Sequence, residues 1–308
     1  MKSAVENKQV VLGVTGSIAC YKAVDLCSRL VRGGALVDVV LSRSATQFVT
    51  PLTFRSISHR PVITDMFDAN SELSVEHVAL ARRADVVVVA PATANTIAKL
   101  AQGLADDSLT TTILATTAPV VVAPAMDAGM YDNPATQESL AKLKSRGFTI
   151  AGPGKGRLAS GLWGLGRLVE PAELMGYIAA ALGYGGDLVN KTVVVSAGGT
   201  VEAIDPVRVI TNRSSGKMGY AIAEAARDRG ANVVLVTAPT ALPDPPAVEV
   251  HAVESALEMR DAVAAASKKA DVLVMAAAVS DYRSVAAADQ KMKKGSGDSL
   301  TIELTKNP

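Results

Sequence analysis

The residues of this chain that could do chemistry are gathered into a few short runs. The densest is Ser196–Gly219, SAGGTVEAIDPVRVITNRSSGKMG, where glycines and carboxylates mix with Arg208, Asn212, Arg213 and Lys217. So polar a run is hard to bury as core. It reads as an irregular loop whose backbone and side chains meet a polyanionic ligand. A second run, Gly13–Ser17, follows a short apolar segment and precedes a helical pattern. A glycine turn with Ser17 capping the next helix offers N–H groups and a favourable dipole to an anion. The spacing G-x-G-x-x-G is missing, so a single phosphate fits better than a dinucleotide pyrophosphate. Polar groups also end two apolar strands, at Ser42-Arg43-Ser44 and at Pro91–Thr96. In an open parallel sheet such ends face the crevice where ligands bind. His77 sits on the helical segment VEHVALARR, just ahead of one of these strands. Imidazoles ordinarily titrate near ~6.5, so a histidine suits a proton shuttle at neutral pH, and a satisfied structural histidine is the open alternative.

The elements that must position these groups alternate between strand and helix, which predicts an α/β fold with parallel sheets. Strands are expected at Gln9–Gly13, Leu36–Leu41, Asp85–Ala90 and Pro119–Ala123, then at Lys191–Ser196, Asn232–Thr237, Asp271–Ala276 and Leu300–Leu304. The first helix should turn Tyr21, Val24, Cys27 and Val31 to one face. Later helices are expected at Asn95–Gln102, from Asp106-Asp107 onward, and at Pro171–Leu182. In the second half they are expected at Gly219–Arg229, with Ile222, Ala225 and Ala226 inward, and at Ser255–Ala270. Gly183–Asp187 has the composition of a linker. Two Rossmann-like domains follow, residues 1–187 and 188–308, and 308 residues suffice for two cores.

Bulk composition narrows the partners. Lys+Arg 31 against Asp+Glu 30 leaves a net charge of +1, so there is no nucleic-acid signature and any anion site must be local. Aromatics at 4% cannot supply a base-stacking ladder. Cys20 and Cys27 lie about two helical turns apart, roughly ~10 Å, too far for a disulfide. They read as buried apolar residues of a cytoplasmic protein. No run approaches the length of a membrane span.

GSIACYK at Gly16–Lys22, EHVALAR, PATANTIAKLAQGLADD at Pro91–Asp107 and PAM-x-x-x-MY at Pro124–Tyr131 resemble the flavin-containing cysteine decarboxylase family. That resemblance covers residues 8–182. It implies a flavodoxin/Rossmann-like fold and FMN bound between subunits by Gly16, Ser17, Ile18, Ser42, Pro91, Thr93 and Asn95. It further implies His77 as the active-site base and a substrate grip at Met126, Asp127 and Met130. Two positions depart from the family pattern. Asp127 stands where an asparagine usually binds the substrate carboxylate, and an ionised aspartate repels that group unless protonated or paired. In the flap Gly154–Pro171, Ser160 stands where biosynthetic members carry a proton-donating cysteine, and a hydroxyl is a weaker acid.

DPVRVITNRSSGKMG at Asp205–Gly219, AAAVSDYR at Ala276–Arg283 and KMKK at Lys291–Lys294 resemble the CTP-driven phosphopantothenate–cysteine ligases of bacteria. Together the halves resemble the bifunctional enzymes of coenzyme A biosynthesis. The resemblance implies Asn212 on an acyl-cytidylate, Arg208 on substrate phosphate, and Met275, Ala276, Ala277, Asp281, Lys291 and Pro308 around CTP. Mg²⁺ would be held through the nucleotide phosphates. The lysine loop, with GSGDS at Gly295–Ser299 behind it, is expected to be mobile without ligand. The implied small molecules are 4′-phosphopantothenate, cysteine, CTP and 4′-phosphopantothenoylcysteine, handled by a trimer-based decarboxylase and a dimeric ligase. The family pattern also implies further residues after Pro308. Rival readings are decarboxylation alone, an enethiol-forming peptidyl-cysteine decarboxylase, and a non-catalytic scaffold for a partner protein. A nicotinamide-dependent short-chain enzyme is disfavoured, because the second half lacks G-x-G-x-x-G and a Tyr-x-x-x-Lys pair.

Overall fold

A computed structural model describes residues 3–66, 76–293 and 300–308, and divides the chain into two compact units, Met1–Tyr184 and Gly185–Pro308. Asp187, expected at the end of the first domain, belongs to the second unit and pairs there with Arg229.

The first unit runs β1 (Gln9–Val14), α1 (Cys20–Arg32), β2 (Leu36–Leu41), α2 (Pro51–Ser58), β3 (Val62–Ile63), α3 (Glu76–Arg83), β4 (Val86–Ala92) and α4 (Ala94–Gln102). It continues through α5 (Ser108–Ala115), β5 (Val120–Pro124), α6 (Ala128–Tyr131), α7 (Pro134–Ser145) and β6 (Thr149–Ile150). The hairpin β7 (Gly154–Arg157) and β8 (Trp163–Arg167), then α8 (Pro171–Leu182), complete it. Six parallel strands lie in the order β3-β2-β1-β4-β5-β6, the doubly wound arrangement whose order reverses between β1 and β4. The valine run of β4 is wholly buried because helices cover both sheet faces. One core layer joins the sheet to α1 and α8, through Leu26, Leu30, Leu174 and Ile178. The other joins it to α4, α5 and α7, through Ile97, Leu109, Ile113 and Leu143.

Some local expectations change. α1 buries Cys20, Ala23, Leu26, Cys27 and Leu30, while Tyr21 is 63% exposed and Val24 and Val31 are half-buried. The buried row is set by what α1 packs against, and that turns Tyr21 outward. Ser17 does not cap this helix: the cap is Ala19, and the Ser17 hydroxyl accepts from its N–H at 3.3 Å. Both cysteines are buried and free. Burial pushes the Cys27 thiol up to about 11, so it stays protonated and inert.

The second unit runs β9 (Thr192–Ala197), β10 (Val201–Asp205), β11 (Arg208–Thr211), α9 (Lys217–Arg227), β12 (Asn232–Thr237), β13 (Glu249–Ala252), α10 (Ala256–Ser267), β14 (Val272–Met275), β15 (Tyr282–Ser284) and β16 (Leu304–Lys306). Four parallel strands order as β13-β12-β9-β14. The stretch Ser196–Gly219 is therefore not simply a loop. Its middle is the antiparallel ribbon β10–β11, and only its glycine-rich ends are irregular. Gly216, at a φ of 72°, supplies a left-handed residue immediately before α9. In α9, Ala223 and Ala226 are buried, Ile222 is half-buried, and Ala225 faces solvent. The last strand is Leu304–Lys306 rather than Leu300–Leu304, because its pairing with β15 begins only at Leu304. The GSGDS segment and Lys294 lie outside the described residues.

Candidate active sites

In the first unit the polar groups converge at the carboxyl ends of β1 and β4. Thr15 donates its hydroxyl to the Pro91 carbonyl at 2.7 Å and accepts from the Thr93 N–H at 3.1 Å, stitching the two ends together. Thr93 in turn caps α4, its hydroxyl accepting from the Thr96 N–H at 3.3 Å. Gly16 turns closely against Ser44, where a Cβ would overlap the Ser44 Cβ. Among the described residues the N–H groups of Gly16, Ser17 and Ile18 donate no hydrogen bond. These free donors open onto a cavity of about 650 Å³, a size usual for a small-molecule site.

Gly16, Ser17, Ile18, Thr93, Met126, Asp127, Met130 and Ser160 all line that cavity. Four expected residues do not. Pro91 is buried behind it with its carbonyl taken by Thr15, Ser42 accepts from the Ala45 N–H at 3.2 Å, and Asn95 is exposed on α4. His77, half-buried in the first turn of α3, is not among the described lining residues.

Asp127 and Ser160, the two positions expected to depart from the family pattern, touch. The Ser160 hydroxyl donates to Asp127 Oδ2 at 2.7 Å, and Asp127 Oδ1 accepts from the Gly129 N–H at 3.1 Å. The Ser160 hydroxyl, followed by the Gly129 N–H, holds the Asp127 carboxyl below the usual carboxylate range. Asp127 is therefore an ionised, paired carboxylate at neutral pH, and the proton of Ser160 is committed to it.

Sequence reasoning passed over three cations. Lys22, Arg157 and Arg167 also line the cavity, where Asp127 is the one carboxylate among the described lining residues, and Glu170 pairs with both Lys22 and Arg167. Three cations against these two carboxylates leave a small positive surplus that suits an anionic ligand. The arginines had a readable signal in the matching GKGR and GLGR runs of the hairpin. Lys22 is 5% exposed, and its ammonium donates to the Leu168 carbonyl and to Glu170, each at 2.8 Å. It fixes the root of the hairpin to α1. Replacing Lys22 by methionine leaves the Leu168 carbonyl unpaired, an expected loss of about 1–3 kcal/mol and a lower melting temperature. Thermal unfolding with tryptic cleavage of the hairpin checks this. Lys22, ahead of Arg167, holds Glu170 below its ordinary range. The pair is thus complete above the ordinary carboxylate pKa and fades as pH falls through the lowered one, screened by the exposure of Glu170.

In the second unit the polar groups gather where β9 and β14 end. The Ser196 hydroxyl accepts from the N–H groups of Ala276 and Ala277 at 3.1 and 3.2 Å, so those donors, expected to face a nucleotide, are already used. Met275 is 58% exposed. Asn212 donates to the carbonyls of Ala278 and Val279 at 3.2 and 3.1 Å. Asn307, beside Pro308, donates its side chain to the Ser280 carbonyl at 2.7 Å and its N–H to the Asp281 carbonyl at 2.8 Å. The fold thus brings Asn212, residues 275–281 and the Asn307-Pro308 pair to one place. Asp281 and Lys291 are exposed. The Arg208 guanidinium, expected on substrate phosphate, is partly committed to Asp205 at 2.8 Å and to the Met292 carbonyl at 3.0 Å. Among the described residues no cluster of His, Cys, Asp or Glu could hold a metal ion, and no helix is long and apolar enough to cross a membrane.

A doubly wound sheet with this cavity at its switch point defines a parallel-sheet flavoprotein fold, and residues 1–183 match the Flavoprotein family. Residues 188–308 match the C-terminal domain of DNA/pantothenate metabolism flavoproteins. The chain is 48% identical over 303 residues to the coenzyme A biosynthesis bifunctional protein CoaBC of Vibrio vulnificus, covering 98% of this chain and 75% of that protein. It belongs to the family of these bifunctional coenzyme A biosynthesis proteins. A solved cysteine-to-serine mutant of PPC decarboxylase, complexed with pantothenoylaminoethenethiol, is 35% identical with a TM-score of 0.51, covering 56% of this chain and 97% of its own. The FMN-dependent cysteine decarboxylase SpaF is 31% identical with a TM-score of 0.50, covering 58% and 97%.

Proposed function

We propose that this chain couples 4′-phosphopantothenate to cysteine at the expense of CTP, and decarboxylates the product to 4′-phosphopantetheine. The observation that carries the reading is the cavity at the β1–β4 switch point, with free N–H groups at Gly16–Ile18, apolar walls at Ile18, Met126, Leu158 and Leu168, and cations in its lining. Those groups fit FMN: the N–H groups suit its phosphate and the apolar walls its flat ring. When bound, FMN supplies the electron sink that lets the thiol be oxidised before CO₂ leaves. Gly16, Ser17 and Ile18 would hold it directly, with Thr93 and Asn95 on α4 beside it and Ser42 and Pro91 shaping the loops behind. Arg157, Arg167 and Lys22 would offset Asp127 where the substrate carboxylate enters, and Met126 and Met130 would hold its chain. A homo-oligomer, trimer-based for this unit and dimeric for the ligase, would complete the cavity from a neighbouring copy and bring a His77 to it as the base.

In the second unit, Asn212 would meet the acyl-cytidylate and Met275–Ala277, Asp281 and Pro308 the nucleotide. Lys291 would meet the triphosphate, and Mg²⁺ would enter with the nucleotide and offset the charge of its phosphates. On this reading the substrates are cytoplasmic metabolites, and the enzyme would act in the cytoplasm.

The test is to supply 4′-phosphopantothenate, cysteine, CTP and Mg²⁺ and to follow pyrophosphate, the acylated cysteine and CO₂ by mass spectrometry. We expect all three, with the saturated 4′-phosphopantetheine as end product. A Ser160→Cys variant should form that product faster, since a thiol is the better acid. An enethiol absorbing in the near ultraviolet, with no saturated product, would show that turnover stops there.

A further inference from the structure

Asp205 is the only carboxylate of the ribbon turn, and its side chain is wholly buried. Its Oδ1 accepts from the Val207 N–H at 2.9 Å, closing the turn through Pro206. Its Oδ2 accepts from Arg208 at 2.8 Å and from the Met292 N–H at 3.1 Å. Arg208 completes the figure by donating to the Met292 carbonyl at 3.0 Å. Both backbone groups of one residue are thus gripped by two side chains of a ribbon 84 and 87 positions earlier. A further bond, from the Ala288 N–H to the Ile204 carbonyl at 2.9 Å, lays the preceding segment along β10.

Met292 is the residue between Lys291 and Lys293, and both lysines are exposed while Met292 is half-buried. A segment gripped by its backbone keeps its side chains free. Arg208 is 43% exposed, so part of its fork also remains accessible beside the lysines. From this geometry we infer that Asp205 is a positioning residue. Through Arg208 and the Met292 backbone, it holds Lys291 and Lys293 in place for the phosphates of a nucleoside triphosphate. The inference rests on the nucleotide reading of Lys291 given above.

The chemistry requires a buried carboxylate in that role. Burial works to raise its pKa, but the N–H groups of Val207 and Met292 and the Arg208 guanidinium overcome it and leave the group ionised below its ordinary range. A neutral amide at this position has one acceptor oxygen where the carboxylate has two, so its NH₂ must face an N–H donor on one side and its bonding to Arg208 and Met292 loses the charge. An Asp205→Asn chain therefore keeps its size and loses the grip.

The experiment uses the full chain and two readouts. Hydrogen exchange at the Met292 amide reports the grip without any ligand. Titration with Mg²⁺·CTP, and separately with cytidine, reports its use. In Asp205→Asn, Met292 exchange should rise by at least about tenfold, the loss of one charge-assisted hydrogen bond. The dissociation constant for CTP should rise about tenfold as well, with cytidine unchanged, because the lysines act only on phosphates. Exchange within β9 and β12 should stay as in the parent. If Asp205→Asn fails to fold, Arg208→Gln, at a half-exposed position, decides the same question through Met292 exchange and CTP affinity. Lys291→Ala separates the two layers of the argument. No effect of Lys291→Ala on CTP affinity sinks the nucleotide reading. With that effect present, unchanged Met292 exchange or unchanged CTP affinity in Asp205→Asn overturns the positioning role, as does an equal loss for CTP and cytidine.

Discussion

Replacing His77 with asparagine is expected to slow CO₂ release by about 10²–10⁴-fold, the usual contribution of one positioned general base. Asparagine keeps a similar shape and can still hydrogen-bond, but it cannot take up a proton near neutral pH. His77 is half-buried at the start of α3, where a change of this size disturbs few core contacts. The helix is fastened at its other end, where Arg83 and Arg60 both grip the buried Asp38 on β2, at 2.9 and 2.7 Å. The variant should therefore fold, bind FMN with the parent's stoichiometry, and release pyrophosphate from CTP at the parent's rate. Single-turnover CO₂ release with flavin absorbance on the same sample checks it. Parental decarboxylation by a yellow His77→Asn protein would return the histidine to the structural role left open above.

The second large effect is expected at Gly166. Its φ of 135° is reached without strain only by glycine, and a Cβ there would overlap the Met126 carbonyl oxygen. The contact is close because the Gly166 carbonyl accepts from the Met126 N–H at 2.9 Å, laying the hairpin backbone directly on the Met126–Asp127 loop. Gly164 adds to this, its Cα lying so near α6 that a Cβ would come within 2.8 Å of the Ala128 Cβ. In Gly166→Ala, backbone strain and overlap together cost about 2–5 kcal/mol, which the hairpin can relieve only by lifting from Met126. Ser160 would then leave Asp127, since the same hairpin carries it. We expect an unchanged circular dichroism spectrum, faster tryptic cleavage at Lys155 and Arg157, and decarboxylation reduced by at least about tenfold. Parental activity with parental protease resistance would show that a seated hairpin is not required.

Much of the frame was legible in the chain itself. Leu36–Leu41, Asn232–Thr237 and Pro171–Leu182 begin and end where their apolar patterns and prolines say they should. The uninterrupted valine run of β4 identifies a strand buried on both faces, whereas the equally apolar β14 leaves Val272 and Leu273 44% exposed. The glycine turn after β1, the helix start at Asp106-Asp107 and the run through Met126 and Asp127 were readable because each depends on near neighbours. Where an expectation failed, a distant surface decided. Tyr21 faces outward because α1 meets its neighbours with the next row of residues, a choice that helical periodicity leaves open. The ribbon inside Ser196–Gly219 was hidden because its strands are short and rich in charge, and only cross-strand pairing distinguishes them from loop.

The sequence by itself determined which groups are present: the glycine turn after β1, the flavoprotein and ligase motifs, and an aspartate and a serine at two positions expected to depart from the family pattern. The fold alone decided which of these groups meet. Asp127 and Ser160 stand 33 positions apart and share one hydrogen bond, Lys22 roots a hairpin 146 positions away, and Asp205 takes hold of Met292. Propensity and periodicity act over a few residues, whereas these contacts exist only after two strands and a hairpin have found their places in space.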